Sequence, residues 1–96
     1  MSGAGSVALD AASRPAVGPG FRLQWEPAQD SHVLLYPEGM VKLSQSAGEI
    51  VKRCDGTRSV EEIVADLEGA FGTQGLEADV RAFIEIAGRQ RWLVWA

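Results

Sequence analysis

Two side chains in this sequence are of the types that most often act as nucleophile or proton carrier near neutral pH, Cys54 and His32, and each is the single residue of its kind. Lys52 and Arg53 give Cys54 the cationic neighbours that can lower a thiol's pKa. Its spacing argues the other way. Ala47, Ile50, Val51 and Cys54 fall at i, i+3, i+4 and i+7, the stripe that an amphipathic helix buries, which reads as a buried, inert thiol. His32 alternates with Leu34 and Tyr36 in an extended run and has no identifiable catalytic partner, so it reads as a structural histidine. One Cys and one His fall short of the roughly four ligands of a structural zinc site. A lone cysteine also excludes an internal disulfide, which fits a reducing compartment.

The carboxylates Glu61, Glu62, Asp66 and Glu68 lie on the polar face of one predicted helix and do not flank a cleft from rigid elements as paired catalytic acids do. Glu61 and Glu62 suit a helix N-terminus instead. Gly72-Thr73-Gln74-Gly75 lacks the preceding strand and the lysine of a phosphate loop and reads as a connector. No constellation for catalysis or metal binding emerges, and the expectation is a binding module that is not an enzyme and carries no cofactor.

The elements that would position a binding surface are legible. Residues 1–20, rich in Gly, Ala and Ser with Pro15 and Pro19, read as a flexible tail, leaving 21–96 as the folded domain. Phe21, Leu23 and Trp25 alternate with Arg22, Gln24 and Glu26, the period of a half-buried strand. Pro27 to Ser31 is a polar break before a second strand, His32 to Tyr36. Tyr36-Pro37-Glu38-Gly39 reads as a type I turn into a third short strand, Met40 to Leu43. A helix then starts at a cap formed either by Ser44 or by the Ser46-x-x-Glu49 box, with Gly56 as its stop. Ser59-x-x-Glu62 caps a second helix whose stripe is Val60, Ile63, Val64, Leu67 and Phe71. The third runs from about Glu77 to Gln90, with Val80, Phe83, Ile84 and Ala87 on its stripe and Ala82 and Ile86 widening the apolar arc. Trp92 to Trp95 closes the chain as a short strand or docking tail, capping the core or marking a partner surface. Three strands followed by three helices predict an α+β fold of winged helix-turn-helix type with a three-stranded antiparallel sheet.

Ninety-six residues make one small domain. No apolar run approaches the ~20 residues of a membrane span and no signal peptide is visible, so a soluble, cytoplasmic protein without a membrane partner is expected. Nine Lys and Arg against thirteen Asp and Glu give a net charge of −4. The second predicted helix carries four acids and no base, which sets Coulomb repulsion against a nucleic-acid-binding winged helix, the alternative reading. What remains is the sheet edge. Met40, Val41 and Leu43 make it apolar, with Lys42 its single charge, and an extended peptide can add a strand there unless the chain or solvent covers it.

Phe21 to Glu26, the run Val33-Leu34-Leu35-Tyr36-Pro37-Glu38-Gly39-Met40-Val41-Lys42-Leu43, Ala47 to Ile50, Cys54-Asp55-Gly56, Val60 to Ile63, Ala78 to Val80 and Trp92-Leu93 resemble the pyrroloquinoline quinone (PQQ) biosynthesis protein D family. The resemblance covers about three quarters of the chain, everything after residue 20. It implies a peptide-recognition element of winged-helix type without catalysis of its own. Such a module binds the ribosomal precursor peptide of PQQ and presents it to a radical SAM enzyme, which joins a glutamate to a tyrosine. In related domains the peptide adds a strand to the third strand and lies against the third helix. The resemblance therefore selects Gly39, Met40, Val41, Lys42 and Leu43 as backbone partners, and Val80, Phe83, Ile84, Ile86 and Ala87 as the groove wall. Val80, Phe83, Ile84 and Ala87 are also needed for the core, which favours the flank residues Phe83 and Ile86 for direct contact.

Overall fold

The computed structural model describes residues 8–96. In chain order the elements are β1 (Ala16–Val17), β2 (Arg22–Glu26), β3 (Ser31–Tyr36), β4 (Gly39–Lys42), α1 (Gln45–Lys52), α2 (Val60–Phe71), α3 (Glu77–Arg89) and β5 (Leu93–Val94). Strands β2, β3 and β4 form an antiparallel sheet in that spatial order and the three helices follow, so the α+β architecture is as expected. The period-2 pattern sets its faces. Opposed across the register, Leu23, Leu34 and Val41 turn toward the helices, and Leu34 is fully buried in the core. Phe21 and Tyr36 meet at 5.4 Å on the same face, as do Trp25 and His32 at 5.0 Å. Trp25, at the far end of β2, is 48% exposed.

Asp30 closes the loop between β2 and β3 with φ 51°, a left-handed conformation that Asp tolerates better than most side chains.

The helices bury the stripes that the spacing indicates. Ser44 caps α1, its hydroxyl accepting from the Ala47 N–H at 3.1 Å, which decides between the two starts left open. The helix ends at Arg53, three residues before Gly56, because the Arg53 and Cys54 N–H groups turn back to the Ile50 and Val51 carbonyls. Cys54 thus lies just past the helix, yet buried as its spacing indicates. The Ser59–Glu62 box forms as read, with bonds of 2.8 and 3.1 Å. Ile63, Val64 and Leu67 of α2 and Val80, Ile84 and Ala87 of α3 join Leu34, Leu43, Ile50 and Val51 in one core. Phe71, placed on the buried stripe of α2 by its spacing, is instead 51% exposed at the last turn.

Both later helices end with a residue in the left-handed region. In α2 this is Gly72 (φ 61°), in α3 it is Arg91 (φ 65°), where the Trp92 N–H reaches the Ala87 carbonyl at 2.9 Å and the Arg91 N–H reaches Gly88 at 3.1 Å. A Cβ in that region costs about 1 kcal/mol. Arg91→Gly is accordingly expected to raise stability by about 0.5–1 kcal/mol, measured as a higher urea midpoint at unchanged slope.

The stretch 8–20 departs from the flexible tail expected from its composition. Ala16 and Val17 pair antiparallel with Val94 and Leu93, and Gly18 donates to the Trp92 carbonyl at 2.8 Å. Gly18 is required there, since a Cβ would sit 2.3 Å from the Arg91 carbonyl oxygen. The N–H groups of Val60 and Glu61, which open α2 without helical partners, donate to the carbonyls of Ser13 and Ala11 at 2.9 and 3.0 Å. Leu9 and Pro15 are buried, and the Arg81 guanidinium on α3 donates to the Leu9 carbonyl at 3.0 Å. These contacts to α2, α3 and β5 hold the segment as a strap. Residues 1–7, also assigned to the tail, lie outside the described residues.

Between α1 and α2, Arg53 donates to Glu49 at 2.8 Å and to Asp66. The Arg53 bond holds both carboxyls below their ordinary values of 4.5 and 3.8, and Lys52 adds to the effect on Glu49. A carboxyl whose pKa is depressed on folding stabilises the fold above its unfolded pKa and loses that contribution as pH falls through the folded one. Asp66→Asn is therefore expected to lower the melting temperature by a few degrees at pH 7, the bridge being half exposed, and by progressively less below about pH 4. Melting curves of both proteins across that range test it.

Candidate functional site

Among the described residues the chemistry-bearing groups assemble no catalytic centre. Cys54 is 2% exposed, its Sγ donates to the Ile50 carbonyl at 3.2 Å, and burial, with Asp55 beside it, pushes the thiol up to about 12. Lys52 and Arg53 do not activate it, because Glu49 engages both. His32 packs edge-on to Trp25 and against Gly48 of α1. No group of three or more His, Cys, Asp or Glu is arranged to hold a metal among the described residues. No helix among them is long and apolar enough to cross a membrane.

The sheet edge is built differently. β4 pairs with β3 on one side, and among the described residues no strand pairs with its other side. The Leu43 N–H donates to the His32 carbonyl at 3.0 Å, and the register runs Val33 with Lys42, Leu34 with Val41, Leu35 with Met40 and Tyr36 with Gly39. Antiparallel bonding alternates, so Gly39, Val41 and Leu43 direct their N–H and C=O groups inward to β3. Met40 and Lys42 direct theirs outward. Of the five residues expected as backbone partners, two therefore present the donors and acceptors that an added strand needs.

The side chains divide as well. Met40 is 46% exposed on the face away from the helices, Val41 is half-buried against the core, and Leu43 belongs to the core. On α3, Val80, Ile84 and Ala87 are buried in the core, so their side chains are withdrawn as surface contacts. Phe83 is half-buried against the core and Ile86 is 48% exposed. At about 100° per residue these two share one flank of the helix. Arg81 and Gly88 lie on the other, which the chain itself covers: Leu9 meets Arg81, and Trp95 lies so close to Gly88 that a Cβ there would meet its ring at 2.4 Å. The Trp92–Trp95 segment is thus core and strap closure, with Leu93 buried and Trp92 and Trp95 packed against the core.

Over residues 31–93 the chain matches the family model of coenzyme PQQ synthesis protein D (PqqD). It belongs to the PqqD family. The matched span runs from the start of β3 through the first residue of β5, so it takes in the open edge and all three helices. A protein of Pseudomonas aeruginosa (strain UCBPP-PA14) named PqqA binding protein is 56% identical over 82 residues, covering 84% of this chain and 89% of its own. One of the same name from Pseudomonas entomophila (strain L48) is 45% identical over 91 residues, 94% of this chain and 100% of its own. The solution NMR structure of the PqqD truncation of Methylobacterium extorquens PqqCD superposes with a TM-score of 0.75 at 27% identity, over 90% of this chain and 94% of that one. That protein is described as a functional, stand-alone recognition element for ribosomally synthesised and post-translationally modified peptides. The heterocyclase TruD shares the fold, with a TM-score of 0.66 at 22% identity over 12% of its length. The PqqD family fold therefore recurs inside a larger enzyme.

Proposed function

We propose that this protein is a non-catalytic adaptor of PQQ biosynthesis that binds the ribosomal precursor peptide as a fourth strand along β4 and presents it to a radical SAM enzyme in the cytoplasm. One observation carries the reading. β4 offers outward backbone groups at Met40 and Lys42 beside the half-buried Val41, while the strap and β5 take one flank of α3 and leave the Phe83 and Ile86 flank uncovered. Main-chain pairing supplies affinity in this mode and the flanking apolar side chains supply selectivity. Family membership and relatives named for binding PqqA support the same ligand. Acids predominate on the exposed faces of α2 and α3, including Glu61, Glu62, Asp79 and Glu85, which disfavours nucleic acid as the guest.

Titration of isotopically labelled protein with the precursor peptide tests the proposal. Amide shifts are expected to concentrate at residues 39–43 and around Phe83 and Ile86. Saturable shifts confined to other elements, or none at high peptide excess both with and without the radical SAM enzyme, would overturn it. A second titration with that enzyme alone is expected to leave the β4 amides in place.

A further inference from the structure

A second concave feature lies between the β2–β3 connection and α1. Trp25 at the end of β2, Asp30 in the loop, Ser31 and His32 at the start of β3, and Gln45 and Glu49 of α1 line a cavity of about 260 Å³. Its walls are fixed. Gly48 lets the imidazole of His32 lie against α1, since a Cβ there would stand 3.1 Å from Nδ1, and the Trp25 ring meets that imidazole edge-on. The Ser31 hydroxyl oxygen is buried with no hydrogen-bond partner among the described residues. Asp30 forms no ion pair among them, whereas the Glu49 carboxylate is engaged by Lys52 and Arg53.

Apart from the ring nitrogens, the Gln45 amide and the Ser31 hydroxyl, which can donate, the polar lining accepts hydrogen bonds: the unpaired Asp30 carboxylate, the Glu49 carboxylate shared with Lys52 and Arg53, and the Gln45 carbonyl. Beside them stands the indole, half exposed. Acceptors around an aromatic face select a cation, and among cations a planar guanidinium that can stack on indole while donating in a fork to carboxylate. The volume suits one side-chain head group and falls below the range of drug-sized ligand sites, ~300–1,000 Å³. A net charge of −4 draws basic partners toward the surface.

We propose that this cleft receives an arginine side chain of a second protein, one that binds while the peptide occupies β4. The simultaneous occupancy rests on the peptide-docking reading and on topology. Trp25, on β2, stands two strand spacings or about 10 Å from the β4 edge, whereas His32 and Gln45 adjoin Leu43, whose backbone groups turn inward; Met40 and Lys42, which turn outward, do not line the cleft, so a guest there leaves the peptide's backbone partners open.

The probes are Nα-acetyl-arginine amide and its neutral isostere Nα-acetyl-citrulline amide, titrated into labelled full-length protein with and without saturating precursor peptide. Arginine is expected to shift the Trp25 indole N–H, the Gln45 side-chain amide and the Asp30 and Ser31 amides saturably, with roughly tenfold preference over citrulline. The preference should persist with peptide bound. Asp30→Asn, which keeps a side chain suited to the left-handed backbone, should abolish it, and Trp25→Leu should weaken arginine binding, both with the peptide-induced shifts on β4 unchanged. Equal responses to the two probes, no saturable response, or a preference that survives Asp30→Asn would overturn the proposal. Displacement of arginine by the peptide would overturn the assignment to a second protein. The β4 shifts on peptide addition report on peptide docking separately, so failure of one reading is distinguishable from failure of the other.

Discussion

Met40→Pro and Lys42→Pro are each expected to weaken binding of the precursor peptide at least tenfold while the helices stay folded. Both residues point their N–H outward, away from β3, so proline there removes a donor that only an added strand would use and places its ring in that strand's path. One lost hydrogen bond in a desolvated seam costs about 1–3 kcal/mol, roughly fivefold to 150-fold in dissociation constant, before the steric term. Val41→Pro is the contrasting variant. The Val41 N–H faces Leu34 across the β3–β4 ladder, so that change attacks the hairpin itself, and loss of binding would accompany loss of stability. Calorimetric titration of the three variants, with far-ultraviolet circular dichroism as the folding control and Lys42→Ala to separate side chain from backbone, gives the comparison. Unaltered affinity in both outward variants would remove strand addition from consideration.

The second large effect is on stability. A chain beginning at Pro19 lacks buried Leu9 and Pro15, the β1–β5 pairing, and the carbonyls of Ala11 and Ser13 that receive the first N–H groups of α2. Burial of Leu9 contributes about 2 kcal/mol and each lost backbone bond about 1, partly offset by the entropy of the freed segment. The net expectation is a loss of about 3 kcal/mol, a large share of the 5–15 kcal/mol typical of a domain. Urea denaturation followed by tryptophan fluorescence would record a lower midpoint, and an unchanged midpoint would show the strap to be incidental. Because the strap takes the Arg81 flank of α3, peptide affinity should change little under conditions where the truncated chain is fully folded.

The elements legible from the sequence are those stabilised by near neighbours. The Ser59–Glu62 box, the i, i+3, i+4 stripes and the Pro37–Glu38 reversal each involve residues within one turn or hairpin, where residue type and spacing suffice. The strap was illegible for the opposite reason. Its Gly, Ala, Ser and Pro residues carry little local preference, and their order comes from contacts more than forty residues away, with Val60, Arg81 and Leu93. Leu9 and Val17 were the available signal, the two large aliphatic residues in a stretch, 8–20, otherwise made of small residues, prolines and two charges. At the candidate site, alternation along residues 39–43 was readable but its phase was not, since the bond from Leu43 to His32 sets which backbone groups turn outward. The helix wall divided similarly: a wide apolar arc shows that two surfaces are served, and the packing of Leu9 and Trp95 shows which flank is left over.

An edge that accepts a guest strand also accepts a copy of itself. Two molecules meeting along β4 would fuse their three-stranded sheets into one of six, using the same Met40 and Lys42 groups that the peptide would use. Lys42 sets a limit on this, since such a seam brings two ammonium groups onto one short ladder, while a peptide with a carboxylate at that point meets attraction in place of repulsion. Peptide and self-association would then compete for one surface, and the concentration of free peptide would set how much of the protein is available to pair with itself.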